Sequence, residues 1–290
     1  MMIGGGFRGS ISQRYFELLF YPGSGKRSCR LESGRSHETR LRPGIEQLDR
    51  QVKRETLTHV VEDYLKAIYD LTATSGRATT NQIAERMGVT PASVTSMIQK
   101  LASTQPPLLK YRKHRGVELT VDGEKVALEI IRHHRLLEVF LQQTLGYSWD
   151  EVHDEADRLE HVISEEFEER IAESLGNPRL DPHGDPIPTR ELHLPESARL
   201  TLSQLRPKQR AVIQRVRDAD PQLLRYLSEM GLKPEAHVKI LDYSPFDDNL
   251  RLEIEGRDES VVLGPSVTSQ VYVEVTERGE SDQYTVISIQ

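Results

Sequence analysis

Cysteine is nearly absent from this chain. Cys29 is alone among 290 residues, so a disulfide framework and a thiolate zinc site are both excluded. Aromatic residues are sparse at 6%, and no apolar run approaches the ~20 residues that a membrane-spanning helix needs. A few apolar positions fall between Ile11 and Tyr21, but neither a clean hydrophobic stretch nor a small-residue cleavage site follows them. A cytoplasmic protein without membrane contact is therefore expected. An overall positive charge is also missing. The formal net charge of −7 argues against indiscriminate binding to nucleic acid.

The charge is unevenly spread. Residues 1–54 carry 11 Lys and Arg against 5 Asp and Glu; residues 55–130 balance at 9 and 9; residues 131–196 have 6 basic against 16 acidic. A carboxylate-rich middle segment behind a neutral module with a basic tip suits a regulator that carries cations. Acidic helices also arise simply as solvated faces. The length leaves room for two or three domains, each with its own core. Residues 1–54 are rich in Gly, Ser and Arg, lack periodicity and read as a disordered extension. A first unit at 55–125, a helical unit at 126–178, a proline-rich linker at 179–199, a small β unit at 200–276 and a tail at 277–290 follow.

From Thr56 onward Val60, Val61, Tyr64, Ile68 and Leu71 recur at helical spacing, and the Thr74-to-Arg77 stretch ends that helix. A short helix from Thr80 to Met87, a turn at Gly88 and a second helix from Pro91 to Ala102 make a helix-turn-helix pattern. Thr90 ahead of Pro91 is a good helix start, because the hydroxyl can cap and proline suits the first turn. Two short strands around Lys110, Arg112, Lys113, His114 and Arg115 read as the wing of a winged helix. On the recognition helix Val94, Ile98 and Leu101 form an inward stripe. Thr90, Ala92, Ser93, Ser96, Gln99 and Lys100 then face base edges and phosphates, joined by Arg112, Lys113 and Arg115 from the wing.

The acidic middle segment is predicted as two long helices, 121–146 and 150–175, with Val139, Phe140, Ile163 and Phe167 available for a shared dimer core. His134 and Glu138 lie four apart, as do His153 and Asp157, and Glu160 and His161 follow. These spacings place side chains on one helix face. His133 lies on another face and is expected to be a bystander. Asp154, Glu155, Glu165, Glu166, Glu168 and Glu169 read as solvated charges. Five prolines between Asn177 and Pro195 exclude regular helix there. Alternating stretches at 211–216, 237–241, 250–254, 260–263 and 270–275, with one helix from Pro221 stopped by Gly231, read as a five-stranded small β-barrel. The fold class is mainly α with a second α+β part.

The order of recognition helix, wing and ligand-bearing helices resembles the diphtheria toxin repressor family of metal-dependent transcriptional repressors. The resemblance is carried by Val61 to Tyr69, His134 to Glu138, His153 to His161 and Asn177 to Pro188. Leu227 to Pro234 looks like the FeoA-type, SH3-like barrel appended to many members. It implies a main metal site of Asp63, Asp157, Glu160 and His161, and an ancillary site of His134, Glu138 and His153. Asp63 and Asp157 stand where the iron-sensing branch has Met and Cys. Hard oxygen donors favour Mn²⁺, with Fe²⁺ the alternative. Lys66 occupies the position where a manganese-sensing branch has a Glu supporting a paired metal site; a charged lysine cannot ligate, so separate sites are implied. In the barrel, Asp218 or Asp220 could substitute for ligands that would align near Ala219 and Gln222.

The resemblance implies a homodimer that binds a palindromic double-stranded DNA operator with a divalent metal ion as co-repressor, and that represses metal-uptake genes rather than acting as an enzyme. A metal-independent winged-helix regulator and a metal-dependent hydrolase are the alternatives. The hydrolase leaves the helix-turn-helix and wing without a purpose.

Overall fold

The structure, a computed structural model, describes residues 57–277 except Lys113, His114, Asp218 and Ala219, together with the side chains of all but Thr74 and Ser75. Residues 1–56 and 278–290 lie outside it, and with them the expected N-terminal extension and most of the tail.

Helix α1 (His59–Ser75) turns Val61, Tyr64, Leu65 and Ile68 inward at helical spacing and ends at Gly76, whose positive φ a side chain would resist. Helix α2 (Thr80–Met87) opens with a reciprocal capping box between Thr79 and Gln82. In α3 (Pro91–Ala102) the Thr90 hydroxyl accepts from Ser93 N at 3.2 Å, and Val94, Ile98 and Leu101 are buried as the periodicity predicts. Strands β1 (Leu109–Arg112) and β2 (Gly116–Leu119) pair antiparallel, Lys110 opposite Glu118, and form the expected wing. A two-way bridge between Ala78 and Val117 pins β2 to the start of α2. Gly116 is required there: its φ is 89°, and a Cβ would meet Ala78 O at 2.8 Å.

Helix α4 (Val121–Leu145) spans 25 residues, roughly 37 Å at a rise of ~1.5 Å per residue. It begins in the core of the DNA-binding unit through Ala127. It ends in a second core, where Leu136, Leu137, Val139 and Leu141 pack against the helices that follow. The single helix predicted over 150–175 is instead two, α5 (Val152–Leu159) and α6 (Glu165–Ser174). Ser164 is the reason. Its hydroxyl accepts from Phe167 N at 3.2 Å and starts α6 afresh, with Glu165, Glu166 and Glu168 in the first turn where the helix dipole favours them. Val139 is buried in this core, so it is not available to a partner chain, whereas Phe167 remains exposed.

The proline-rich segment has no regular helix, as expected, yet Asp181, His183 and Ile187 within it are buried. The sheet beyond it has the order β6-β5-β4-β3-β7, all antiparallel. Its strands are β3 (Arg210–Val216), β4 (His237–Tyr243), β5 (Leu250–Ile254), β6 (Val261–Leu263) and β7 (Val271–Glu277), with α7 (Pro221–Met230) and the short α8 (Pro265–Thr268) between them. The five predicted strands are all present. The expected barrel takes the form of an open ladder: among the described residues β6 and β7 do not pair, because β6 has only three residues before Gly264 and α8 turn the chain away. The alternating inward positions Leu250, Leu252 and Ile254 share a core with Ala211, Ile213, Val238 and Ile240, and Trp149 reaches into it from beyond α4. Among the described residues no helix is long and apolar enough to cross a membrane.

Gly184 fixes how the proline-rich segment meets β3. Its φ is 90°, and a Cβ there would come within 2.0 Å of Gln214 O. Gly184→Ala should lose about 2–4 kcal/mol, combining left-handed strain with overpacking against backbone. Chemical denaturation of both proteins measures the difference.

Candidate metal centre

Three elements supply the acidic and imidazole groups, and each does so by helical spacing. Helix α1 presents Asp63 and, one turn on, Lys66; α4 presents His134 and Glu138; α5 presents His153 and Asp157, with Glu160 and His161 just past its end. The α4 and α5 faces meet beneath α1. An open cleft of about 630 Å³, lined by His59, Asp63, Lys66, His153, Asp157 and His161, leads to the cluster from solvent.

His161 Nε2 lies 2.9 Å from Asp63 Oδ1 and 3.5 Å from Glu160 Oε1. Its other nitrogen, Nδ1, lies 2.7 Å from Glu62 Oε2, which orients the ring. Asp63, Glu160 and His161 each offer a ligand atom within 4.8 Å of the others. Hard carboxylate oxygens with an imidazole at this spacing fit a divalent cation. Burial works against a charged His161, but hydrogen bonds to Asp63 and Glu62 and the nearby charge of Glu160 push its pKa up to about 9.

Asp157 sits differently from its expected place in that set. Its ligand atom groups with those of His134 and His153, because it is four residues from His153 on one face of α5 whereas Glu160 and His161 follow the helix end. His134 is the hinge between the groups. Its Nδ1 is 2.6 Å from Glu160 Oε2 and 3.2 Å from Asp157 Oδ1; its Nε2 is 3.0 Å from both Glu138 Oε1 and His153 Nδ1. His153 Nδ1 is also 3.2 Å from Glu138 Oε1. The structure therefore gathers all seven predicted ligands in one contiguous cluster. Burial opposes a charge on His134, yet the Glu138 carboxylate and hydrogen bonds to Asp157 and Glu138 hold its pKa well above the usual histidine range. Glu138 is likewise buried, and the charge and hydrogen bond of His134 keep it well below the carboxylate range.

Lys66 stands at the centre. Its ammonium donates to Glu160 Oε2 at 2.8 Å, Glu160 Oε1 at 3.1 Å and Asp157 Oδ1 at 3.0 Å, and lies 3.1 Å from His134 Nδ1. Sequence reasoning identified Lys66 only as a residue unable to ligate; its position one turn after Asp63 was the signal that it enters the same cluster. Two other residues depart from expectation. His133 is fully buried, with Nδ1 3.1 Å from Glu160 O and Nε2 2.9 Å from Glu168 Oε2, so it braces the Glu160 backbone. Glu168, expected to be solvated, is buried between His133 and Arg132 because α6 folds back onto α4.

On the helix-turn-helix surface Ala92, Ser93, Ser96, Gln99 and Lys100 are exposed along α3, and Arg112 and Arg115 are exposed on the wing. Thr90 is exposed too, but its hydroxyl is committed to the helix cap and to Ser93 Oγ at 2.9 Å. Lys113 lies outside the described residues, as do Asp218 and Ala219; Asp220 caps α7 by accepting from Gln222 N at 2.8 Å.

Three family models match in order: the N-terminal DNA-binding domain of iron-dependent repressors over residues 56–117, their metal-binding and dimerisation domain over 120–189, and a FeoA domain over 200–275. The diphtheria toxin repressor of Corynebacterium jeikeium is 33% identical over 169 residues, which cover 57% of this chain and 70% of that relative. The chain belongs to the iron-dependent repressor family. The iron-dependent repressor IdeR of Mycobacterium leprae is 38% identical over 132 residues, but these span only 56% of that relative's length. A solved manganese-dependent transcriptional repressor in complex with manganese is 37% identical, with a TM-score of 0.68, and the alignment covers 74% of this chain and 99% of that one. Both iron- and manganese-dependent regulators thus stand among the relatives of this family member.

Two outcomes follow from the cluster. Lys66→Gln removes one of the two cations beside buried Glu160 and half-exposed Asp157 and leaves the protonated His134 ring as the other, so the metal-free protein should lose about 2–3 kcal/mol, the scale of hydrogen bonds to a charged group. Added divalent ion should return most of that loss, and thermal melts with chelator and with Mn²⁺ read both effects. The second concerns pH. The raised pKa of His161 lies above its unfolded value, so this pairing stabilises the metal-free fold fully below about pH 6.5 and fades as pH rises through about 9. A cation must displace the same proton, so its affinity should climb with pH up to about 9. Titration calorimetry in buffers of different ionisation enthalpy should detect proton release at pH 7.

Proposed function

We propose that this chain is a divalent-metal-activated DNA-binding repressor, with Mn²⁺ as its activating ion and Fe²⁺ the runner-up, acting as a cytoplasmic homodimer on a palindromic operator of metal-uptake genes. The observation that carries the reading is the position of Asp63: a ligand-type carboxylate on the first helix of the DNA-binding unit, 2.9 Å from His161 of the helical unit.

A divalent ion bound here supplies positive charge that lets carboxylates from α1 and from the end of α5 share one ligand shell. The residues of the chain do the rest. Asp63 brings α1 into register with Glu160 and His161; Glu62 holds the His161 ring; His133 holds the Glu160 backbone. Asp157, beside His134 and His153, can serve either that set or the ancillary set of His134, Glu138 and His153. Carboxylate in place of sulfur at Asp63 and Asp157 favours Mn²⁺, although intrinsic affinity rises from Mn²⁺ towards later ions. Fixing α1 limits how the winged domain swings, and each ion biases that equilibrium by its differential affinity for the two states. Ala92, Ser93, Ser96, Gln99 and Lys100 would read the major groove, with Arg112 and Arg115, joined by Lys113, on phosphates or the minor groove. Exposed Val162 and Phe167, beside Phe140 and Ile163, support a dimer face. Two-fold symmetry would give a palindromic site.

Selection of random-sequence duplex DNA by the full chain, with and without Mn²⁺, tests the reading. A palindromic sequence should be enriched only with metal, and Glu160→Gln should weaken binding to it by at least ~100-fold. Equal enrichment without metal, unaltered by Glu160→Gln, would establish a metal-independent winged-helix regulator instead.

A further inference from the structure

Lys66 engages the oxygens that an ion at the main site would need. Its ammonium donates to Glu160 Oε2 at 2.8 Å and Glu160 Oε1 at 3.1 Å, so one lysine covers both oxygens of that carboxylate. A further contact at 3.0 Å takes Asp157 Oδ1. Glu160 Oε1 is also the oxygen 3.5 Å from His161 Nε2, whose other neighbour is Asp63 Oδ1 at 2.9 Å.

A carboxylate oxygen holds a first-row ion at ~2.0–2.2 Å, so an ion on Oε1 would lie within about 5.3 Å of the ammonium nitrogen. A double and a single positive charge repel strongly at that range when the side chain between them is only 18% exposed. The lysine is tethered to α1 and cannot diffuse away, so it meets every incoming ion at a high effective concentration.

Lys66 also has a place to move to. The cleft of about 630 Å³ opens beside it and is lined, one turn further along α1, by Asp70. Asp70 is half exposed and lies 3.6 Å from Arg86. The four-carbon stem of a lysine is flexible enough to swing from the cluster into this cleft. The ammonium then gives up Glu160 and Asp157 but keeps its charge in a solvated position near another carboxylate.

We propose that Lys66 is a built-in competitor for the activating ion: an ion takes Glu160 only as the ammonium leaves, and this exchange sets the metal concentration at which the centre fills. The inference rests on the metal-activated reading above and adds its threshold. The same contacts are lost whichever ion enters. Lys66 therefore weakens Mn²⁺ and Co²⁺ by a common factor and leaves their order to the ligand atoms.

Calorimetric titration of the full chain with each ion tests the exchange. Lys66→Gln should bind Mn²⁺ and Co²⁺ at least ~10-fold tighter than the native chain, with the same gain for both. Lys66→Arg keeps a tethered charge and should stay within ~3-fold of the native affinity. Lysine acylation read by mass spectrometry gives a second measure that needs no variant. In the native chain Lys66 should be protected in chelator and modified once Mn²⁺ is added. If the native chain binds Mn²⁺ but Lys66→Gln binds it no tighter, and Lys66 stays protected in both states, the competitor is overturned while the metal-activated reading stands. Absence of Mn²⁺ binding to native chain and variant alike would overturn both.

Discussion

The Lys66 ammonium is the contact on which the arrangement turns. It reaches from α1 to the carboxylates on and just past α5, donating to Glu160 and Asp157 and lying 3.1 Å from the His134 ring of α4. Its positive charge, together with that of the His134 ring, offsets the cost of holding buried Glu160 close to a second acid at low dielectric. The lysine therefore holds the DNA-binding unit against the helical unit through the same atoms that a divalent ion would use. Burial disfavours its charge, but Glu160 and Asp157 outweigh that and raise its pKa. On the function proposed above, a divalent ion would take over the role that this tethered charge plays.

Around that contact further side chains brace the cluster. His133 ties the Glu160 backbone to Glu168, Glu168 is held by Arg132, and Arg132 also donates to Pro188 O at 2.7 Å. Arg135, one turn further along α4, donates to Pro186 O. The proline-rich segment is consequently part of the wall of the helical unit. Through Gly184 and His183 it is also joined to the end of β3. Helix α4 is common to both ends of this chain of contacts, with Ala127 in the core of the winged unit and Glu138 in the cluster of acids and imidazoles.

Much of this was legible in local patterns. The helix-turn-helix could be read because its signals are short-range: Thr90 before Pro91, Gly88 in the turn, and the Val94–Ile98–Leu101 stripe. The strands of the C-terminal unit alternate at period two and were found for the same reason. Six of the seven candidate ligands were visible because His134/Glu138 and His153/Asp157 obey helical spacing with Glu160 and His161 close behind, whereas Asp63 was implied only by the family resemblance. The break between α5 and α6 was missed because the acidic run looks continuous until Ser164 is recognised as a cap. His133 and Glu168 were misjudged because whether a polar side chain is buried depends on which helix folds over it.

What the sequence determined by itself is therefore the inventory: which segments are helices or strands, which face of each is apolar, and which residue types can bind a cation. Those are consequences of spacing along the chain. Only the tertiary structure decided how the inventory is combined. It placed Lys66 among the acids, moved Asp157 beside His134, turned Glu62 onto His161 and brought Asp181 and His183 to the far side of Glu138. These pairings join residues from 23 to 99 positions apart, as for His134 with Asp157 and Glu62 with His161. Helical periodicity fixes neighbours only three or four residues away, so contacts of that range are set by the packing of α1, α4 and α5 on one another.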